Sequence, residues 1–146
     1  MTKFLALAAL VAAGYGATPD VTPKANPVGP DKVVYHLSEG LEQAADGLRN
    51  IRNHLEVNPK AHIVVVAHAR GVDYLMKGAK DKNGNPFEVA VEQLVNDGVQ
   101  FDVCDITLRD RQLKREQFIP DVVFVPSGVA EITRLQVREH YAYLRP

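Results

Sequence analysis

At 146 residues the chain has room for one domain with a substantial core. Its hydrophobic fraction of 46% and charged fraction of 24% are ordinary for a soluble globular protein. A formal charge of -1 and the lack of any basic block exclude nucleic acid as an expected partner, although a specific acidic substrate needs only a local field.

The first residues differ from the rest. Met1-Thr-Lys3 is a short, weakly positive start, and Phe4 to Ala17, "FLALAALVAAGYGA", carries no charge. That run is shorter than the roughly 20 apolar residues that span a bilayer. With Gly14, Gly16 and Ala17 where cleavage would fall, residues 1–17 read as a secretory signal peptide; the competing reading is a first helix or strand of the domain. Residues 18–30, "TPDVTPKANPVGP", place Pro19, Pro23, Pro27 and Pro30 in a stretch with no period, which reads as an extended linker. A single domain is expected over 31–146. This layout predicts an exported, periplasmic protein with no membrane attachment once the signal is removed.

From Lys32 the sequence becomes regular. "KVVYHL" predicts a short strand ending at Leu37, with Ser38 placed to cap the next helix. Leu41, Ala44, Ala45, Leu48, Ile51 and Leu55 make one apolar stripe at helical spacing, stopped by Asn58-Pro59. "HIVVVAHARG" predicts a parallel strand covered on both faces, followed by a short helical turn over "VDYLMKGA" and a polar, mobile loop over "KDKNGNP". Asn85-Pro86-Phe87-Glu88 predicts a helix capped by Asn85 with Pro86 at its first position, ending at Gly98. Val99, Phe101 and Val103 alternate with Gln100, Asp102 and Cys104, which predicts a strand buried on one face only. "DVVFVP" reads as another buried strand. A final amphipathic helix starts at Ser127 with Val129, Ile132 and Leu135 on one face, and "YAYL" closes as a short strand.

Strands alternating with helices predict an α/β fold, a three-layer α/β/α sandwich with a mostly parallel sheet of four to five strands. In such a sheet ligands bind at the carboxyl ends of the strands. The predicted strands end at His36, His68, Cys104 and Pro126-Ser127, so these side chains should gather along one edge, near Arg70, Arg109 and Arg111. Thr107 and Asp110 match a capping pattern that sets Cys104 just ahead of a helix N-terminus. That position favours a thiolate; Arg109 and Arg111 act in the same sense, while Asp102 and Asp105 oppose it.

Cys104 is the only cysteine, so an exported chain would carry it as a free reactive thiol or an intermolecular bridge. The competing reading is a small buried hydrophobe. His68 could form a thiolate–imidazolium couple with it. Cys104, His36 and His68 are metal-ligand types, but they lack close ligand spacing, and no metal is expected. Ser127 could help hold an anion, though a plain helix cap is the simpler role. With no glycine-rich dinucleotide motif, P-loop, Gly-x-Ser-x-Gly or Cys-x-x-Cys, no cofactor is expected.

The stretches "GVQFDVCDITLRDR" and "PDVVFVPSGVAEITRLQVREHYAYLRP" resemble the DsrE/DsrF-like proteins of sulfur metabolism, most closely their small, often exported branch. The resemblance implies a compact three-layer α/β fold, a homo-oligomer (trimer or hexamer), and a sulfur carrier that holds a persulfide on Cys104. Sulfur donor and acceptor proteins, or small sulfur compounds, would then be its partners. Ile106 departs from the pattern, where close relatives carry an asparagine before the Thr-Leu pair. The expected function is sulfur carriage on Cys104 with help from Arg109, Arg111 and His68. The alternatives are a non-catalytic oligomeric protein with a small-molecule or metal pocket at the strand ends, and a structural oligomer with an inert cysteine.

Overall fold

A computed structural model describes residues 30–146. The expected signal peptide and nearly all of the expected linker lie outside the described residues.

The elements follow in the order β1 (Lys32–Leu37), α1 (Leu41–Val57), β2 (His62–Ala67), a 3-10 helix (Ala69–Leu75), α2 (Phe87–Asn96), β3 (Gln100–Cys104), α3 (Asp105–Asp110), a 3-10 turn (Arg115–Gln117), β4 (Val122–Val125), α4 (Gly128–Glu139) and β5 (Ala142–Leu144). The strands form one five-stranded sheet in the order β4-β3-β2-β1-β5, with every pair parallel. This is the expected three-layer α/β/α sandwich.

Topology decides which helices cover which face. The chain steps from β1 to β4 in one direction across the sheet, and right-handed crossovers keep α1, α2 and α3 on one side. The step from β4 back past β1 to β5 reverses direction and sends α4 to the other side. The packing follows this division. Val33, Tyr35, Leu37, Ile63, Val65, Phe101 and Val103 pack with Leu48 and Ile51 of α1, Leu94 of α2 and Leu108 of α3. Val34, Val64 and Val66, the alternate residues of β1 and β2, pack with Ile132 and Leu135 of α4. The approach between β1 and the 3-10 helix is close enough to demand glycine: a Cβ on Gly71 would lie 2.1 Å from the Leu37 carbonyl oxygen.

Several local expectations are corrected. Ser38 does not cap α1. Gly40 does, at φ 79°, while Gln43 Oε1 accepts the backbone N–H groups of Ser38 and Glu39 at 2.8 Å each. Asn85 does not cap α2, because its side chain is drawn to Asp81 at 3.0 Å; Pro86 occupies the cap position. Asp81 also accepts the N–H groups of Asn83 and Asn85, so the 80–86 loop is organised around one carboxylate. The "VDYLMKGA" turn is the end of a 3-10 helix that begins at Ala69. Strand β3 is buried on both faces, because α4 covers the side bearing Asp102, which is 0% exposed. Strand β4 is an edge strand with Val123 half in solvent, rather than a buried one. On α4, Ile132 and Leu135 are buried, but Val129 is 59% exposed.

Candidate functional site

The helices after β3 and β4 leave the sheet on opposite faces, α3 toward the larger core and α4 toward the smaller. Between the ends of these two strands the chain therefore opens a crevice, the place where α/β sheets hold ligands. A cavity of about 450 Å³ lies there, with Cys104 in its wall. Ile106, Thr107, Asp110 and Arg111 line one side, Ser127 and Val129 another, and His68, Ala69 and Arg70 arrive from the end of β2. A groove of about 400 Å³ between α1 and α2 is lined by Leu48, Arg52, Asp81 and Phe87 among others, and no cysteine, histidine or serine borders it.

Cys104 is both the last residue of β3 and the residue that caps α3, with φ −75° and ψ 115°. It is 4% exposed. This corrects the expected cap: α3 begins at Asp105, and Thr107 lies inside it. Asp105 is tied to Arg115 at 2.5 Å, which anchors the first turn of the short helix. Thr107 spends its hydroxyl elsewhere, accepting the Ala69 N–H at 2.9 Å. That bond holds Ala69 at φ 51°, a left-handed conformation that costs a non-glycine residue free energy.

Ser127 caps α4, its side chain accepting the Ala130 N–H at 3.4 Å. Gly128, the first residue of α4, is pressed onto the site. A Cβ there would lie 3.2 Å from the His68 Cβ and 3.3 Å from the Cys104 Cβ. His68 and Cys104 thus flank one point at the N-terminus of α4.

His36 extends this cluster toward β5. Its Nε2 lies 2.6 Å from His68 Nε2, and its Nδ1 lies 2.6 Å from the Tyr143 hydroxyl. The imidazole centroids are 4.8 Å apart and their planes differ by 23°. A centroid separation so much longer than the nitrogen contact means that the rings meet head-on rather than face to face. Burial, then the neighbouring His68, then the Arg145 guanidinium lower the His36 pKa to about 4. Burial and Arg145 lower that of His68 as well. Both shifts favour the neutral ring.

The basic residues divide. Arg111 donates to the Ala69 carbonyl at 2.9 Å and to Asp73 at 2.7 Å, so it braces the cavity wall. Arg109 does not line the cavity; it pairs with Asp110 at 2.8 Å, and 73% of its side chain is exposed. Arg70 lines the cavity and has no hydrogen bond or ion pair among the described residues. Asp102 sits under α4, two residues before Cys104. Gln100 donates to its Oδ1 at 2.7 Å, while Oδ2 is buried without a partner among the described residues. Burial raises the Asp102 pKa to about 6; Glu131 adds to this, while Gln100 and Arg134 oppose it. Among the described residues no group of three or more His, Cys, Asp and Glu stands close enough to hold a metal ion.

The strand-end rule thus reaches Cys104, His36, His68 and Ser127. It does not reach Tyr143 and Arg145. The available signal for these was the parity of the last strand once it is laid beside β1.

The sequence model of the DsrE/DsrF-like family matches residues 32–146. No curated protein matches the chain. A solved structure of MTH1491 from Methanobacterium thermoautotrophicum, a protein of unknown function, is 32% identical, superposes with a TM-score of 0.71, and covers 80% of this chain and 99% of its own. The YchN protein of E. coli, at 16% identity and a TM-score of 0.67, covers the same shares and speaks to the fold alone.

Proposed function

The chain belongs to the DsrE/DsrF-like family, whose membership points to sulfur-relay chemistry at the family level, and on that premise we propose that it carries a persulfide on Cys104 and passes it to a partner. The observation that supports this reading most is the position of Cys104. The only nucleophilic sulfur of the chain stands in the crevice between β3 and β4, next to the N-terminus of α4, in a cavity that Arg70 also lines.

The chemistry balances without an external oxidant. The Cys104 thiolate attacks the terminal sulfur of a donor persulfide, a Cys104 S–S bond forms, the donor's S–S bond breaks, and the donor leaves as a thiolate. An acceptor thiolate then attacks the terminal sulfur on Cys104 and regenerates the Cys104 thiolate. With no second cysteine in the chain, no internal disulfide can intercept the persulfide.

We extend the proposal to assembly and location. The chain works as an exported, periplasmic homo-oligomer, a trimer or hexamer. Support for an assembly comes from Val123 and Val137, which stand 46% and 69% exposed on the edge strand and on α4.

The test is the intact mass of the protein before and after exposure to a sulfane-sulfur donor, beside Cys104→Ser. The expected result is a gain of one or more sulfur atoms, reversed by reductant and absent in the variant. No gain in a protein whose Cys104 still reacts with a small alkylator would instead favour a binding protein with a pocket at the strand ends.

A further inference from the structure

The head-on contact between two imidazoles constrains where protons can be. A neutral imidazole has one N–H and one lone pair. Two lone pairs, or two N–H groups, cannot face each other at 2.6 Å, so one proton lies between His36 Nε2 and His68 Nε2. The Tyr143 hydroxyl imposes the same rule on His36 Nδ1 at 2.6 Å. Tyr143 is 41% exposed and reaches solvent. The other end of the chain is His68 Nδ1, which makes no hydrogen bond among the described residues, on a ring that lines the Cys104 cavity.

We propose that Tyr143, His36 and His68 form a proton relay between solvent and the sulfur chemistry in the Cys104 crevice, with His68 Nδ1 as the group that exchanges the proton. The proposal rests on Cys104 being the reacting group. In the accepting state His68 carries its proton on Nε2, His36 carries its own on Nδ1, and Tyr143 donates to water. When the Cys104 S–H bond breaks, the proton is handed to His68 Nδ1 through one water in the cavity that both residues line, since no direct hydrogen bond joins them. The proton between the rings moves to His36 Nε2, the His36 Nδ1 proton passes to the Tyr143 oxygen, and Tyr143 releases one proton to water. One proton enters, one leaves, and neither ring keeps a charge. His68 then presents an N–H to the water that solvates the new thiolate. Run in reverse, the relay returns a proton to the departing donor thiolate.

The surrounding charges suit a relay that stays neutral. Arg145 lowers the basicity of both rings while it is itself paired with Glu39. Around His68 the charged cavity residues are Arg70, Arg111 and Asp110. Arg111 is engaged by Asp73 and Asp110 by Arg109. Asp102, beneath α4, is held apart from His36 by Val66, its neighbour in register on both sides. Among the described residues no carboxylate hydrogen-bonds either ring to trap an imidazolium.

The test is the rate at which iodoacetamide, an uncharged alkylator, labels Cys104 from pH 6 to pH 10. Wild type is compared with His68→Asn, His36→Gln and Tyr143→Phe. At pH 7 we expect labelling to fall about tenfold in His68→Asn and several-fold in the other two, below the roughly 10²–10⁴-fold of full general-base catalysis because water can also take the proton. The deficits should close toward pH 10, where hydroxide takes the proton. Rates within twofold of wild type at every pH would overturn the relay, and so would a deficit that stays constant to pH 10, because that marks altered access. Tyr143→Phe alters only an exposed strand and decides the matter if the histidine variants fail to fold. Labelling needs no sulfur donor. A flat profile in a protein that still gains sulfur removes the relay alone, and a relay-type profile in a protein that gains none removes the carrier function alone.

Discussion

The hydroxyl of Thr107, in α3, accepts the backbone N–H of Ala69, the first residue after His68, at 2.9 Å. Together with the Arg111 bond to the Ala69 carbonyl, this bond joins the wall of the crevice contributed by β3 and α3 to the wall contributed by β2. It satisfies an amide that the left-handed turn at Ala69 would otherwise leave without a partner.

Thr107→Val should therefore cost about 1 kcal/mol, the net worth of a hydrogen bond whose freed donor can turn to water, since Ala69 is exposed. Thr107→Ser should restore most of it. Urea unfolding at neutral pH measures both. A valine variant as stable as wild type would mean that the Ala69 amide finds another acceptor.

Asp102 should be a native-state liability above pH 6. Its folded pKa, about 6, exceeds the 3.8 of the free side chain. The native state thus binds more protons than the unfolded state between those values, and stability falls as pH rises through that window. Asp102→Asn should be more stable than wild type at pH 8 by on the order of 2 kcal/mol, with the advantage gone below about pH 4. Chemical denaturation at the two pH values checks the sign; equal stability at pH 8 would refute it.

His36 should act in the opposite sense over nearly the same window. Its folded pKa, about 4, lies below the free value of 6.5. Unfolded chains take up the proton first, so stability contributed by the neutral ring is present above pH 6.5 and is lost as pH falls toward 4. The acid limb of the thermal-stability curve should flatten in His36→Gln and steepen in Asp102→Asn, where the opposing term is gone. Thermal melts at half-unit steps between pH 4 and 7 separate the two.

Gly71→Ala and Gly128→Ala should fail differently. At Gly71 the added carbon meets a backbone carbonyl at 2.1 Å, which cannot move without displacing β1. A loss above about 3 kcal/mol, or no folded protein, is expected. At Gly128 the neighbours are side-chain carbons at 3.2 to 3.4 Å. Here the fold should survive while His68 and Cys104 are pushed apart, with altered labelling of Cys104 as the signature. Circular dichroism and alkylation together distinguish the cases.

How much of this was legible beforehand follows from the kind of force involved. The apolar runs of β1 and β2 and the stripe of α1 express burial, which is written locally, and they sit where the periodicity predicts, except that Leu41 at the start of the stripe is exposed. Caps are settled by competition for polar groups. Gln43, Asp81 and the Ala69 amide outbid the local patterns around Ser38, Asn85 and Thr107. The alternation in β3 has the form of a solvent-facing strand because Asp102 is polar. Only the return of the chain over that face, as α4, buries it. The strand-end rule finds Cys104, His36 and His68 because all strands are parallel. It could not find Tyr143, whose meeting with His36 depends on which edge of the sheet the last strand joins.

That last strand also sets an order of events. His36 and Tyr143 are 107 residues apart, and β5 has three residues, all exposed, pairing among the described residues with β1 alone. Closing so long a loop for so few backbone bonds makes this the last step expected in folding and the first to reverse. Each time β5 peels away it bares the amide edge of β1 and takes the phenol from His36 in the same motion. Amide hydrogen exchange at Val34, whose backbone faces β5, would then track how often the outer end of the histidine pair is dismantled in an otherwise intact domain.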